Sequence, residues 1–350
     1  MSNDGLVGQF PIGDKNCITD VAGVKVGHVT LDFPLGKEDE YACTGVTAIL
    51  PHSDNLFREK VPAASYVING FGKTTGLVQV DELGVIESPI MLTNTFAVPA
   101  VTQGALQFML EETPEVGETT GTINVVTGEC NDSYLNSIRH FSVKSEHAVE
   151  ALRKASTNRA DEGAVGAGKG MVCFGFKGGI GTTSRVISTN DGPDIIVGCL
   201  VLTNFGKKEE FQQDRYAASA EPESGISETS DGSVIIVLAT DAALSDRQLK
   251  RVAKRCGIGL GRTGSHYSNG SGDIVIAFST ANRVPHSLNE MIESRPQLRD
   301  DHQVMNKLFT CAAEVTEEAI LHSLKKAETT TGRKDRVVYS MNREKLQPTD

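Results

Sequence analysis

The sequence predicts a layered α/β protein, and two observations carry that prediction. Three apolar, largely β-branched runs, Ile195–Leu202, Val234–Ala239 and Ile274–Phe278, have the length and composition of buried strands. Between and beyond them lie helical patterns at about 99–111, 146–155, 245–256 and 303–327. The 35 glycines among 350 residues supply tight turns, and the length allows a large core, as one large or two smaller domains.

In chain order, residues 16–31 read as short strands with a turn at Ala22-Gly23. His28 reads as structural, because no second His or paired carboxylate sits at a recognisable spacing. Strands are expected at Gly45–Pro51, at Ser65–Ile68 (ending in Asn69-Gly70-Phe71-Gly72), at Ile90–Thr95 and at Ile123–Val126. The helix from about Pro99 to Glu111 carries Ala100, Leu106 and Leu110 among its apolar positions. The loop expected at Thr127–Leu135 concentrates Glu129, Asn131, Asp132 and Tyr134. It reads either as a capped helix start, with Asn131 or Asp132 as N-cap, or as a grip for a ligand amine.

Gly163-Ala164-Val165-Gly166-Ala167-Gly168-Lys169-Gly170 nearly matches a phosphate-binding P-loop. Gly170 replaces the hydroxyl that would hold magnesium, and no clear strand precedes the motif. A glycine-rich turn allowing close backbone approach is the better reading. Residues 171–185 then read as a β-hairpin about Gly178-Gly179. After the strand ending at Asn204, residues 207–231 are rich in Glu, Ser and Ala and read as an exposed linker. Ser245 can N-cap a helix bearing Leu249, Val252, Ala253 and Cys256, stopped by Gly257. The long C-terminal helix presents Leu308, Ala312, Val315, Ala319 and Leu324 on one face.

Gly232-Ser233 at the entry to the Val234–Ala239 run allows two readings. One is an ordinary core strand entered through a glycine turn. The other is a self-cleavage point that leaves Ser233 as a new N-terminus. An α-amine ordinarily titrates at about 7.7–8.0, so it can serve as general base to its own residue's hydroxyl. Glycine before the scissile bond permits a strained backbone. Gly270-Ser271-Gly272-Asp273, also before a strand, could equally be the cleavage point. Ser233 is preferred because the linker precedes it and its strand is more uniformly apolar.

Composition narrows the partners. The net charge of −11 and the lack of a dense Lys/Arg tract argue against nucleic acid. Seven scattered cysteines without a CxxC pair favour reduced thiols in the cytosol over disulfides or a zinc site. The first residues lack a basic segment followed by an apolar one, so no signal peptide is expected. No apolar run reaches the ~18 residues of a membrane helix.

Several stretches together resemble the self-processing serine aminopeptidases, which include L-aminopeptidase/D-amidase-esterases and β-peptidyl aminopeptidases (peptidase family S58 type). They are Ile18–Val24 with Val26-Gly27-His28, Gly128–Asp132, Asn204-Phe205-Gly206, Gly232–Ile235, Gly259–Gly264 and Asn269–Asp273. Each is weak alone; their number and order make the resemblance specific.

The resemblance implies an αββα sandwich akin to Ntn hydrolases with distinct connectivity. It implies one catalytic domain over 1–350, cut after Gly232 into 1–232 and 233–350. Ser233 would be the nucleophile, Ser271 a second serine bonding it, and Asp273 the acid two residues on, shorter than the family's common Glu. Asn204 would help form the oxyanion hole, Glu129 would pair with the substrate's amino group, and Tyr134 would be a site tyrosine. The implied substrates are short peptides, amides or esters, including D- or β-residue compounds, with no cofactor or metal. A homo-oligomer in the cytoplasm is expected. The alternatives are an acyltransferase of the ornithine acetyltransferase type, whose nucleophile is typically Thr, a P-loop-like nucleotide-binding protein, and an uncleaved relative used for binding.

Overall fold

Why the strands stack as they do follows from which faces they bury. The computed structural model describes residues 7–189, 192–216, 232–287 and 290–341. Nine main strands form two sheets: β1 Lys25–Pro34, β2 Tyr41–Leu50, β3 Glu59–Gly70, β4 Ile90–Asn94, β5 Val126–Cys130, β6 Gly179–Ile187, β7 Ile195–Asn204, β8 Ser233–Thr240 and β9 Gly272–Ser279. The first sheet has order β1-β2-β4-β5. The second runs β3-β9-β8-β7-β6, with Val284–Pro285 added at the edge of β3. β8 lies at its centre, antiparallel to β7 and parallel to β9.

Successive residues of a strand point to opposite faces. In β8, Ile235, Val237 and Ala239 belong to a core shared with Ile49, Ile90 and Val126 of the first sheet. Val234, Ile236 and Leu238 belong instead to a core shared with helices α3 (Asp246–Thr263) and α4 (Val304–Lys325). Helices α1 (Val98–Glu112) and α2 (Ser145–Lys154) cover the outer face of the first sheet. The result is the expected helix–sheet–sheet–helix sandwich. A strand buried on both faces has no polar alternation, which is why β8 is a continuous apolar run.

Several local expectations are corrected. Residues 18–20 form a 3₁₀ turn rather than a strand, because the Asp20 carboxylate accepts the N–H groups of Lys15 and Cys17 and curls the chain. The strand expected at Ile123–Val126 begins only at Val126, so Glu129 sits on β5 and not in a loop. Asn131 accepts Ser133 N–H in a local turn, and no α-helix starts there. The hairpin turn lies at Phe174-Gly175, both with positive φ (50° and 75°), between Val172–Cys173 and Phe176–Lys177. Gly178-Gly179 instead leads into β6.

Helix α3 does not stop at Gly257. It continues to Thr263 and ends at Gly264, whose φ is +116°. Gly259 lets α3 approach α4 closely: a Cβ there would lie 2.3 Å from the Ala313 carbonyl oxygen. Part of the expected linker is also ordered. Phe211 is buried, its ring 5.0 Å from that of Phe174, and Arg215 and Tyr216 both bond Glu317 of α4. Residues 217–231 of that linker lie outside the described residues.

Candidate active site

Ser233 opens β8, on the face that Ile235 and Val237 turn toward the first sheet. Two neighbours flank it. In the antiparallel register it stands opposite Asn204, the last residue of β7, and in the parallel register beside Gly272, the first of β9. The Gly272 N–H donates to Ser233 Oγ at 3.2 Å. Gly232 is pressed onto the end of β7: a Cβ there would lie 2.2 Å from the Asn204 carbonyl oxygen and 2.4 Å from Phe205 Cα. No side chain fits at this position without moving backbone.

The Asn204 carboxamide is oriented from its acceptor end, since Oδ1 accepts the Val172 N–H at 2.9 Å. That bond leaves Nδ2, the donating end, on the opposite limb of the amide.

Ser233 and Glu129 line one cavity of about 850 Å³. Glu129 reaches it from β5 and is 3 % exposed. Its Oε1 accepts the Lys73 N–H at 2.9 Å, and its Oε2 accepts the Thr95 hydroxyl. Both oxygens are thereby fixed, while each keeps a lone pair for a further donor.

Ser271 and Asp273 flank Gly272, which stands beside Ser233 at the start of β9. The Ser271 hydroxyl donates to Asp273 Oδ1 at 2.8 Å, and Asp273 is fully buried. Burial raises the Asp273 carboxyl to about 6, against the lowering effect of the Ser271 hydrogen bond. Among the described residues Ser271 bonds Asp273 and not Ser233, and the Gly272 N–H donates to Ser233 Oγ. Asn69 of β3 fixes the 268–271 turn, donating to the carbonyls of Ser268 (2.9 Å) and Ser271 (2.5 Å).

Tyr134, expected in the site, is not among the residues lining the cavity. Its ring lies under the Arg336 guanidinium at 4.7 Å and packs against the small cluster of Cys43, Leu135, Val172 and Val338. Asn131 and Ser133 from the same loop do line the cavity.

The glycine-rich stretch is structural. Gly166, Ala167, Gly168 and Gly170 are buried, and a Cβ on Gly170 would lie 2.2 Å from the Cys43 carbonyl oxygen. Lys169 pairs with Asp32 at 2.8 Å rather than facing an anion cradle. The buried Lys177 ties the stretch down, donating to the carbonyls of Gly168, Met171 and Gly178. His28 bonds Thr47 at 2.9 Å, and burial lowers it to about 4, which keeps it neutral. All seven cysteines are buried and free. Among the described residues no group of three or more His, Cys, Asp or Glu is placed to hold a metal ion, and no helix is long and apolar enough to cross a membrane.

Reading the sequence missed Thr95, Asn69 and the backbone N–H groups of Lys73, Val172 and Gly272. A backbone donor leaves no signature in residue type. Asn69 could have been flagged from Asn69-Gly70-Phe71-Gly72, a polar amide closing a strand in a glycine turn.

Comparison with known proteins decides the family. The family model of peptidase family S58 matches residues 16–338. The chain belongs to peptidase family S58.

Its relatives include the β-peptidyl aminopeptidase BapA of Sphingosinicella microcystinivorans, 40% identical over 91% of this chain and 84% of that protein. BapA of Sphingosinicella xenopeptidilytica is 35% identical over 95% of this chain and 86% of that one. Among solved structures, the PH0078 protein from Pyrococcus horikoshii OT3 superposes with a TM-score of 0.88 at 47% identity, covering 97% of this chain and 95% of the other. The L-aminopeptidase D-Ala-esterase/amidase of Ochrobactrum anthropi, a prototype serine aminopeptidase with a variant of the Ntn hydrolase fold, superposes with a TM-score of 0.88 at 32% identity, covering 98% and 95%. This S58 member is accordingly a serine aminopeptidase with an Ntn-hydrolase-like layered fold.

Proposed function

We propose that this S58 peptidase cuts its own chain between Gly232 and Ser233, and that the freed Ser233 is the nucleophile for removing N-terminal residues from short peptides, amides and esters. The observation that carries the reading is the shared cavity. Ser233, at the start of a central strand, and Glu129, from the opposite sheet, face the same space.

The chemistry follows from these groups. The substrate's ammonium pairs with the Glu129 carboxylate, whose two oxygens are already oriented by Lys73 and Thr95. The Ser233 α-amine takes the proton from Oγ as Oγ attacks the scissile carbonyl. The Asn204 amide and the Gly272 N–H are the donors proposed for the developing oxyanion and the nucleophile. The leaving amine takes the proton, giving an acyl-enzyme on Ser233 Oγ, which water hydrolyses by the reverse proton path. Ser271 and Asp273 are positioning residues, tuning the environment of the strand end that carries Ser233. Substrates bearing N-terminal β-residues are proposed from the likeness to two β-peptidyl aminopeptidases. A homo-oligomer and a cytoplasmic location belong to the same proposal. The buried Gly166, Ala167, Gly168 and Gly170 and the Lys169–Asp32 pair favour this reading over nucleotide binding.

The test is a trapped intermediate. Quenching the enzyme with acid during turnover of an alanine ester should leave an added alanyl mass on the 233–350 fragment. An adduct on the 1–232 fragment would overturn the assignment of the nucleophile.

A further inference from the structure

The chain carries a net charge of −11, yet the cavity wall runs the other way. Four cations line it, Lys37, Lys73, Arg139 and Arg333, against two carboxylates, Glu40 and Glu129. If Glu129 is matched by a substrate ammonium, the remaining wall holds four cations and one acid. Among the described residues none of the four cations is in an ion pair, whereas most other arginines of the structure are. Cations gathered in a concave site without anionic partners are arranged for an anionic ligand.

Arg333 is the best placed of them. It is half-buried, on a turn fixed to the 133–135 segment. Its N–H donates to the Leu135 carbonyl at 2.7 Å, its Nη1 to the Ser133 carbonyl at 3.3 Å, and Gly332 packs directly on Leu135. A guanidinium held through one Nη keeps its other donors for a carboxylate. Arg139, exposed on the 3₁₀ turn Ile138–His140, adds a second guanidinium to the cavity lining.

We propose that Arg333 and Arg139 recognise the free C-terminal carboxylate of a short peptide whose N-terminal ammonium is held by Glu129. The site then selects di- and tripeptides with both termini free over peptides capped at the C-terminus. The proposal rests on the cavity being the peptidase site, with Ser233 as nucleophile.

The test compares a dipeptide and a tripeptide with their C-terminal amides, measured as kcat/KM ratios in the wild type, Arg333→Gln, Arg139→Gln and the conservative Arg333→Lys. The wild type should prefer the free acids by about ten-fold or more, mainly through KM, as loss of a charge-assisted contact implies. Arg333→Gln should bring the ratio close to one, and Arg333→Lys should retain part of it. Because each variant is read as a ratio, a general loss of folded enzyme cancels. Equal rates for acid and amide in the wild type, or a ratio unmoved in both Gln variants, would overturn the proposal while leaving the peptidase reading intact. Failure of that reading would appear separately, as hydrolysis of the amides persisting in Ser233→Ala.

Discussion

Asn204 and Ser233 stand opposite each other on the last rung of the antiparallel β7–β8 pair. That rung brings an oriented amide donor and a small hydroxyl residue to the same end of the sheet. The close contact of Gly232 with the Asn204 carbonyl belongs to the same geometry.

Gly232→Ala therefore tests whether this close approach matters to processing. The added Cβ would meet backbone at 2.2 Å, so the strand entry must shift. Processing into two fragments should slow by at least ten-fold, followed by gel electrophoresis of freshly expressed protein. Processing at the wild-type rate would show that the scissile geometry tolerates the shift.

Glu129→Gln should raise KM for free-amine substrates by ten-fold or more and leave self-processing nearly unchanged, because processing has no substrate amine to bind. The amide can still accept one of the two hydrogen bonds from Lys73 and Thr95, so the loss is chiefly of charge. Equal loss of both activities would assign Glu129 a structural role.

Asp273 sets a pH dependence with a defined sign. Burial raises its carboxyl from 3.8 to about 6, so the folded state holds the proton more tightly than the unfolded chain. Between about pH 4 and 6 its ionisation costs stability as pH rises. If Ser271 positions the strand end by donating to the ionised carboxylate, kcat/KM should fall below about pH 6. Asp273→Asn should lose that step from the profile, leaving only the limb set by the Ser233 amine. A profile of unchanged shape would remove Asp273 from the account.

At the α3–α4 crossing, Gly259→Ala should destabilise the protein by ~1–3 kcal/mol, since its Cβ would meet the Ala313 carbonyl. Chemical denaturation would register this as a lower midpoint. An unchanged midpoint would mean that the helices can separate without cost.

The parts of this protein legible in its sequence are those written in side-chain pattern. The β8 run announces a doubly buried strand because both of its faces meet apolar layers. The Leu308–Leu324 stripe announces α4 in the same way. What was not legible depends on partners distant in sequence. Gly257 looks like a helix stop, yet α3 runs on to Thr263, crossing α4 closely at Gly259, where α4 packs in the place a side chain would take. Gly178-Gly179 looks like a hairpin turn, while Phe174, an unusual residue for positive φ, takes that role with its ring packed against Phe205 and Phe211. Motif resemblance points to Ser233, Glu129, Asn204, Ser271 and Asp273, of which Ser233 and Glu129 line the cavity, and the catalytic roles of all five belong to the proposal. Tyr134 could not be placed, because its ring faces Arg336 rather than the cavity.

The central claim, that Ser233 becomes an N-terminal nucleophile, is tested most directly by an intact-mass spectrum of the purified wild-type protein under denaturing conditions, with Ser233→Ala alongside. Two wild-type masses, matching residues 1–232 and 233–350, and one uncut mass for the variant are the predicted result. A single wild-type mass near 37.4 kDa from fully active enzyme, or a new N-terminus at Ser271, would contradict it.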